Sequence, residues 1–153
     1  MTTTEVIDGL DREGLEYELI SHQRTVTARA EAHVIGVTAR EVAKTVVLTT
    51  SAGFVRAVVP ASKRLDLHKV HELLDDRECR LATEEELGAA YPAFELGAVP
   101  PFGGPAGDRV IVDGTLAELD AIVLEAGSHD QSVRLRTKDL LALSGAKVAD
   151  ISA

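Results

Sequence analysis

Apolar and polar residues alternate along this chain with two different periods, and the switches between them mark out its elements. Thr2 and Glu5 have capping-box spacing and Val6 and Leu10 follow at i, i+4, which predicts a first helix over about residues 3–13, ended by Gly14. Leu15-Glu16-Tyr17-Glu18-Leu19-Ile20 then places acidic residues between apolar ones, the pattern of a half-buried strand. Thr27 is a good N-cap for a helix over residues 28–35 with Gly36 just past its end. Thr38 and Glu41 repeat the capping-box spacing before another short helix. Residues 45–50 and 54–59 are rich in β-branched side chains and joined by Ser51-Ala52-Gly53, the clearest hairpin in the chain.

The second half continues in the same way. A helix over about residues 66–75 carries Leu67, Val70, Leu73 and Leu74 on one face. Thr83 and Glu86 open another helix that stops near Pro92. Residues 109–112 and 121–125 are apolar runs of strand length, and residues 132–135 alternate. Thr137 is read as the cap of a last helix ending at Gly145, with a strand at residues 147–151. Without strict strand–helix–strand alternation, the predicted class is α+β (mixed α/β), a mixed, mostly antiparallel sheet in one layer surrounded by helices.

Residues 94–108 break the pattern. This stretch holds Gly97, Gly103, Gly104 and Gly107 together with Pro100, Pro101 and Pro105. Proline holds φ near −65° and offers no N–H, whereas glycine allows close backbone approach. The stretch reads either as a stiff connector or as a rigid wall that aims backbone N–H groups at a carbonyl gaining negative charge. A loop of this length inside a compact domain is uncommon without a function.

Bulk properties narrow the field. At 153 residues the chain is expected to form one domain, residues 1–153, large enough to fold without disulfides or metal. Hydrophobic residues make up 45% and aromatic ones only 3%, so the core must be built from Val, Leu, Ile and Ala. A single cysteine, Cys79, excludes an internal disulfide and reads as a small buried hydrophobe. No run approaches the ~20 apolar residues of a membrane helix and no signal-peptide pattern opens the chain, so a cytoplasmic location and no membrane partner are expected. The net charge of −9 counts against non-specific nucleic-acid binding, and DNA is not expected as a partner. Any contact with RNA must then run through a local basic patch.

Few residues offer chemistry. Lys44 sits where a predicted short helix gives way to a buried strand, and it either faces solvent or reaches a cleft in which its ammonium can meet phosphate. His68 and His71 share a helix face at i, i+3 but lack an obvious third ligand, so no metal site is expected. His33, beside apolar helix positions, is read as structural. His22 and His129 lie in strand-end loops, where site residues collect. No Gly-x-Ser-x-Gly motif occurs, Ser128-His129-Asp130 are mere sequence neighbours, and residues 103–108 lack the Gly-Lys-Ser/Thr ending of a P-loop.

Several of these segments, in this order and spacing, resemble the bacterial YbaK family, the prolyl-tRNA-synthetase-associated editing domains. The resemblance covers about residues 15–152 and is carried by His22 with Thr25 and Thr27, Val42-Ala43-Lys44-Thr45, Val58-Val59-Pro60-Ala61 with Leu65-Asp66-Leu67, Leu96-Gly97-Ala98-Val99-Pro100-Pro101-Phe102-Gly103, Val112-Asp113 and Ala126-Gly127. It implies a mixed β-sheet with surrounding helices and hydrolysis of the ester between an amino acid and the 3′-terminal adenosine of a mischarged tRNA. In such domains the lysine matching Lys44 helps hold the RNA 3′ end, the loop matching Gly97 to Pro101 shapes the aminoacyl pocket, and water attacks without a metal, cofactor or protein nucleophile.

The resemblance thus implies a trans-acting aminoacyl-tRNA deacylase with Lys44, Gly97 and Pro101 as its catalytic set. His22, Thr45, Ala98, Val99, Pro100, Phe102, Gly127, Ser128 and His129 are expected to bind substrate. The sequence of loop 97–101 is closer to the alanine-clearing type than to the cysteine-clearing type, which makes an alanyl- or cysteinyl-tRNA(Pro) the expected substrate. An aminoacyl-tRNA synthetase is a candidate partner that presents the tRNA. The alternative is a module that binds an aminoacyl end or an amino acid without hydrolysis.

Overall fold

A computed structural model describes residues 2–103 and 108–153. Eight strands and six α-helices follow one another as α1 (Thr2–Arg12), β1 (Tyr17–Ser21), α2 (Ala28–Ile35), β2 (Ala43–Thr50), β3 (Gly53–Pro60), α3 (Leu67–Leu74), β4 (Arg80–Leu81), α4 (Glu84–Ala90), β5 (Arg109–Asp113), α5 (Gly114–Ala117), β6 (Ala121–Ser128), β7 (Gln131–Arg136), α6 (Thr137–Ser144) and β8 (Lys147–Ala149). The α+β class and the predominance of antiparallel pairing agree with the sequence reading. The single layer does not: the strands form two hydrogen-bonded sheets, β1-β7-β6 and β4-β2-β3-β5-β8. Only β3–β5 and β5–β8 pair parallel, and one isolated bridge, Val42 to Val123, links the sheets.

Burial explains why the strands were legible. In β5 the side chains of Val110 and Val112 join one core cluster while Ile111 joins the cluster on the opposite face of the sheet. A strand covered on both faces has no polar side to alternate with, so it reads as a continuous apolar run. β1 is an edge strand in which Tyr17 and Ile20 are half-buried while Glu18, Leu19 and Ser21 are exposed, so its burial does not follow the alternation of its sequence.

The capping chemistry is largely as expected. Thr27 Oγ1 accepts from the N–H of Ala30, and Gly36 closes α2 in the left-handed region at φ 87°. Thr83 and Glu86 form a complete capping box on α4. Three readings need correction. Thr137 is the first residue of α6 rather than its cap, a place taken by Arg136 without a side-chain bond. The helix after Thr38 is a single 3₁₀ turn, Ala39–Glu41, to which the Thr38 side chain makes no cap. His33 is exposed rather than part of the core. Among the described residues no helix is long and apolar enough to cross a membrane.

Candidate functional site

A cavity of about 320 Å³ lies where the two sheets meet. The start of β2 forms its floor with Ala43, Lys44 and Thr45, and β6 adds Leu124 and Glu125. Residues 26–29, leading into α2, form a second wall, and Gly97 and Val99 form the third. Lys44 and the glycine–proline loop thus border one shared space.

Lys44 lies in β2 opposite Val59, half-buried. Its register leaves its ammonium near two further cations: desolvation first, then Arg29 and Arg64, lower its pKa below the usual lysine value. Within an acidic chain this is a local concentration of positive charge. Arg29 also lines the cavity, beside the amino-terminal end of α2, where unpaired N–H groups favour anions.

The loop is held from behind. Gly97 has φ 82°, a conformation that glycine adopts without strain. Pro100 and Pro101 are buried, Ala98 is almost fully enclosed, and Phe102 packs into the main core cluster. The structure brings Gly97, Val99 and Thr45 to the cavity but places Ala98, Pro100, Pro101 and Phe102 behind it, as the support on which the loop rests. Gly104, Pro105 and Gly107 lie outside the described residues.

That support depends on a residue the sequence reading passed over. Arg56, 2% exposed at the centre of β3, donates to the carbonyl oxygens of Pro100 (2.7 Å) and Gly103 (2.5 Å). Its remaining donors meet both carboxylate oxygens of Asp108 at 2.9 Å. The Tyr91 ring lies 4.8 Å from the guanidinium carbon, and its hydroxyl donates to Asp108 at 2.5 Å. Burial and the Asp108 carboxylate push the Tyr91 pKa well above its ordinary value, keeping it a donor. A charged residue inside the apolar run 54–59 was the available signal.

His129 is buried and does not line the cavity; it ties the loop to β6. Its Nε2 faces the Leu96 carbonyl at 2.7 Å, so this nitrogen must carry a proton and donate. Its Nδ1 lies 2.8 Å from Glu125 Oε2. Its backbone N–H donates to Glu95, which is also paired with Arg24. Burial first, and the Glu95 charge second, push the Glu125 pKa up to about 8. With Nε2–H committed, Nδ1 either accepts from a protonated Glu125 or donates to its carboxylate.

A second buried carboxylate lies close behind. Glu31, fully buried on α2, accepts from Ser132 Oγ at 2.5 Å, and that hydroxyl lies 2.8 Å from His22 Nε2. Burial raises the Glu31 pKa to about 7, against the Ser132 hydrogen bond, with Glu125 adding repulsion. His22 is therefore part of an internal network beneath the site. Gly127 (φ 90°) and Ser128, whose Oγ donates to Asp130 at 2.9 Å, lie at an irregularity in β6 that turns the chain towards His129. Neither lines the cavity.

His68 and His71 have local partners. His68 pairs with Glu72, and His71 Nε2 donates to the Cys79 carbonyl. Among the described residues no three His, Cys, Asp or Glu side chains are grouped to hold a metal.

Comparison with known proteins places the chain in a family. The aminoacyl-tRNA editing domain family matches residues 22–143, most of the chain. The multifunctional Ser/Thr-tRNA deacylase ProXp-y of Escherichia coli K12 is 26% identical over 149 residues, covering 94% of this chain and 89% of that protein. A crystal structure provisionally described as a trans-editing enzyme for prolyl tRNA synthetase superposes with a TM-score of 0.91 at 28% identity, covering 99% of this chain and 97% of the other. The structure of a hypothetical protein superposes with a TM-score of 0.89, also at 28% identity, over 97% of this chain and 99% of its own. By family match and fold, this chain belongs to the aminoacyl-tRNA editing domain family, a family of deacylating hydrolases.

Proposed function

We propose that this chain is a trans-acting, cytoplasmic deacylase that hydrolyses the ester joining a small amino acid to the 3′-terminal adenosine of a mischarged tRNA. The observation that carries the reading is the shared cavity of Lys44 and Gly97. Lys44 and Arg29 supply the cations that hold the phosphate-bearing end of the RNA. Loop 97–101, stiffened by its prolines and by Arg56, sets the position of the ester carbonyl and offers backbone N–H groups to the oxygen as it gains charge.

Water is the attacking group. Its oxygen bonds to the carbonyl carbon, the bond from that carbon to the ribose oxygen breaks, and a proton passes to the ribose oxygen. The amino acid and a free 3′ end are released. The lining residues Ala43, Ala61, Val99 and Leu124 restrict the pocket, and exclusion by size is the main source of selectivity. An extra methylene in an apolar pocket is worth only ~1–3 kcal/mol by affinity alone. The substrate class is therefore small amino acids, alanine and cysteine by the loop sequence, with serine and threonine brought in by the likeness to the E. coli deacylase. With a net charge of −9, the chain relies on the Lys44–Arg29–Arg64 cluster for the RNA end, and a synthetase presents the tRNA body.

The test is release of amino acid from tRNAs mischarged with alanine, cysteine, serine or threonine, comparing wild type with Lys44→Ala. Release by wild type and its loss in the folded variant are expected. Bound RNA without turnover across the whole panel would establish the non-catalytic binding module instead.

A further inference from the structure

Two cations, Lys44 and Arg29, line the cavity, and Glu125 is the one carboxylate among its lining residues. Its side chain keeps 14% of its surface exposed. The hydrogen bond it makes among the described residues engages Oε2 alone, with His129 Nδ1 at 2.8 Å. Oε1 has no partner among the described residues, and Glu125 lines a cavity that takes an aminoacyl group under the proposed function.

An aminoacyl ester carries one cation of its own, the α-ammonium. Enclosing that ammonium in a half-closed pocket lined by Lys44 and Arg29 is unfavourable unless an anion meets it. Among the described lining residues, the group able to do so is Glu125. Its position is fixed on both sides. Glu125 sits opposite Ser132 in the β6–β7 ladder, and His129, held by the Leu96 carbonyl, orients its carboxylate through Oε2. A pre-positioned acceptor of this kind loses little side-chain entropy on binding.

We infer that Glu125 is the recognition residue for the substrate α-ammonium, accepting it through Oε1 while His129 holds Oε2. The inference rests on the proposed function, because it needs an aminoacyl group in this cavity. The same carboxyl has a pKa raised to about 8 by burial and by the Glu95 charge, so an arriving ammonium favours the carboxylate and the displaced proton leaves with solvent. Charged groups beside the pair are Glu95 and Glu31, with Arg24 bound to Glu95.

Binding of two hydrolysis-inert compounds tests this separately from turnover. These are 3′-(L-alanylamino)-3′-deoxyadenosine and its des-amino counterpart, 3′-propanamido-3′-deoxyadenosine, titrated calorimetrically into wild type and Glu125→Gln. The pair differs only by the amine, so no added bulk confuses the comparison. Wild type should bind the amine about tenfold or more tightly than the des-amino compound, the scale of one charge-assisted hydrogen bond. Glu125→Gln, checked for unchanged thermal unfolding, should bind the two within about twofold. Equal affinity in wild type, binding of neither compound, or discrimination retained in Glu125→Gln would overturn the inference; a destabilised glutamine variant leaves the wild-type comparison decisive. Failure of the proposed function would show instead as absent deacylation of charged tRNA, an assay independent of this one.

Discussion

Arg56 Nη1 donates to the carbonyl oxygen of Pro100 across 2.7 Å, joining the centre of the five-stranded sheet to the loop that walls the cavity. The same guanidinium also donates to Gly103 and Asp108, so one buried side chain fixes both limbs of the turn. Stiffness of the loop therefore has two sources, the restricted φ of its prolines and a buried cation with four hydrogen bonds to the loop and to Asp108.

Removing that cation should unseat the loop. Arg56→Met leaves the Asp108 carboxylate buried without its partner and frees two carbonyls. The expected loss is about 3–5 kcal/mol of stability, with deacylation lost as well. Urea denaturation measures the first effect. Arg56→Lys should recover only part of it, because an ammonium cannot make the forked contact.

Gly97→Ala tests the backbone at the cavity wall. An added Cβ would lie 3.5 Å from His129 Cε1, an ordinary contact, so crowding is not the problem. The cost comes from φ 82°, which an L side chain adopts with strain, and should be about 1 kcal/mol. Deacylation should fall more than stability does, because the loop relaxes away from the position that serves the carbonyl. A variant with normal melting and normal turnover would show that this conformation is dispensable.

Charge at the RNA end gives a third prediction. Lys44→Ala should lower turnover with little change in thermal unfolding, since the side chain is only half-buried. Lys44→Arg should retain part of the activity by retaining the positive charge. Arg29→Ala should mainly raise KM, and the rise should shrink at high salt, where exposed charges are screened. Steady-state kinetics at two ionic strengths separates these outcomes.

Glu31 makes stability depend on pH. Its carboxyl is raised from 4.5 to about 7 in the folded chain, so the folded state holds the proton more tightly than the unfolded one. The stabilisation is fully present below pH 4.5 and is lost as pH rises through about 7. Glu31→Gln, which cannot ionise, should flatten this slope. Glu125, raised to about 8, adds a similar decline at slightly higher pH. Unfolding free energies between pH 5 and 8 for wild type and variant would show it; a slope unchanged by Glu31→Gln would mean the group is ionised throughout.

Local chemistry was readable without coordinates because it acts over a few residues. The Thr27 and Thr83 caps, the left-handed Gly36 and Gly145 and the hairpin through Gly53 all follow from side chains meeting backbone within one or two turns of chain. Lys44 and Gly97 stood out for the same reason, as a cation and a flexible residue in an otherwise apolar setting, and their order along the chain carried the family resemblance. The division into two sheets, the seating of Phe102 in the core and the burial of His129 could not be read this way. Neither could the contacts of Arg56 with a loop 44 residues away, or the placing of Arg29 and Glu125 around one cavity. These depend on which distant strands pair and which side chains then lose water, and burial first, with repulsion from neighbouring carboxylates second, raises the pKa values of Glu31 and Glu125 to about 7 and about 8.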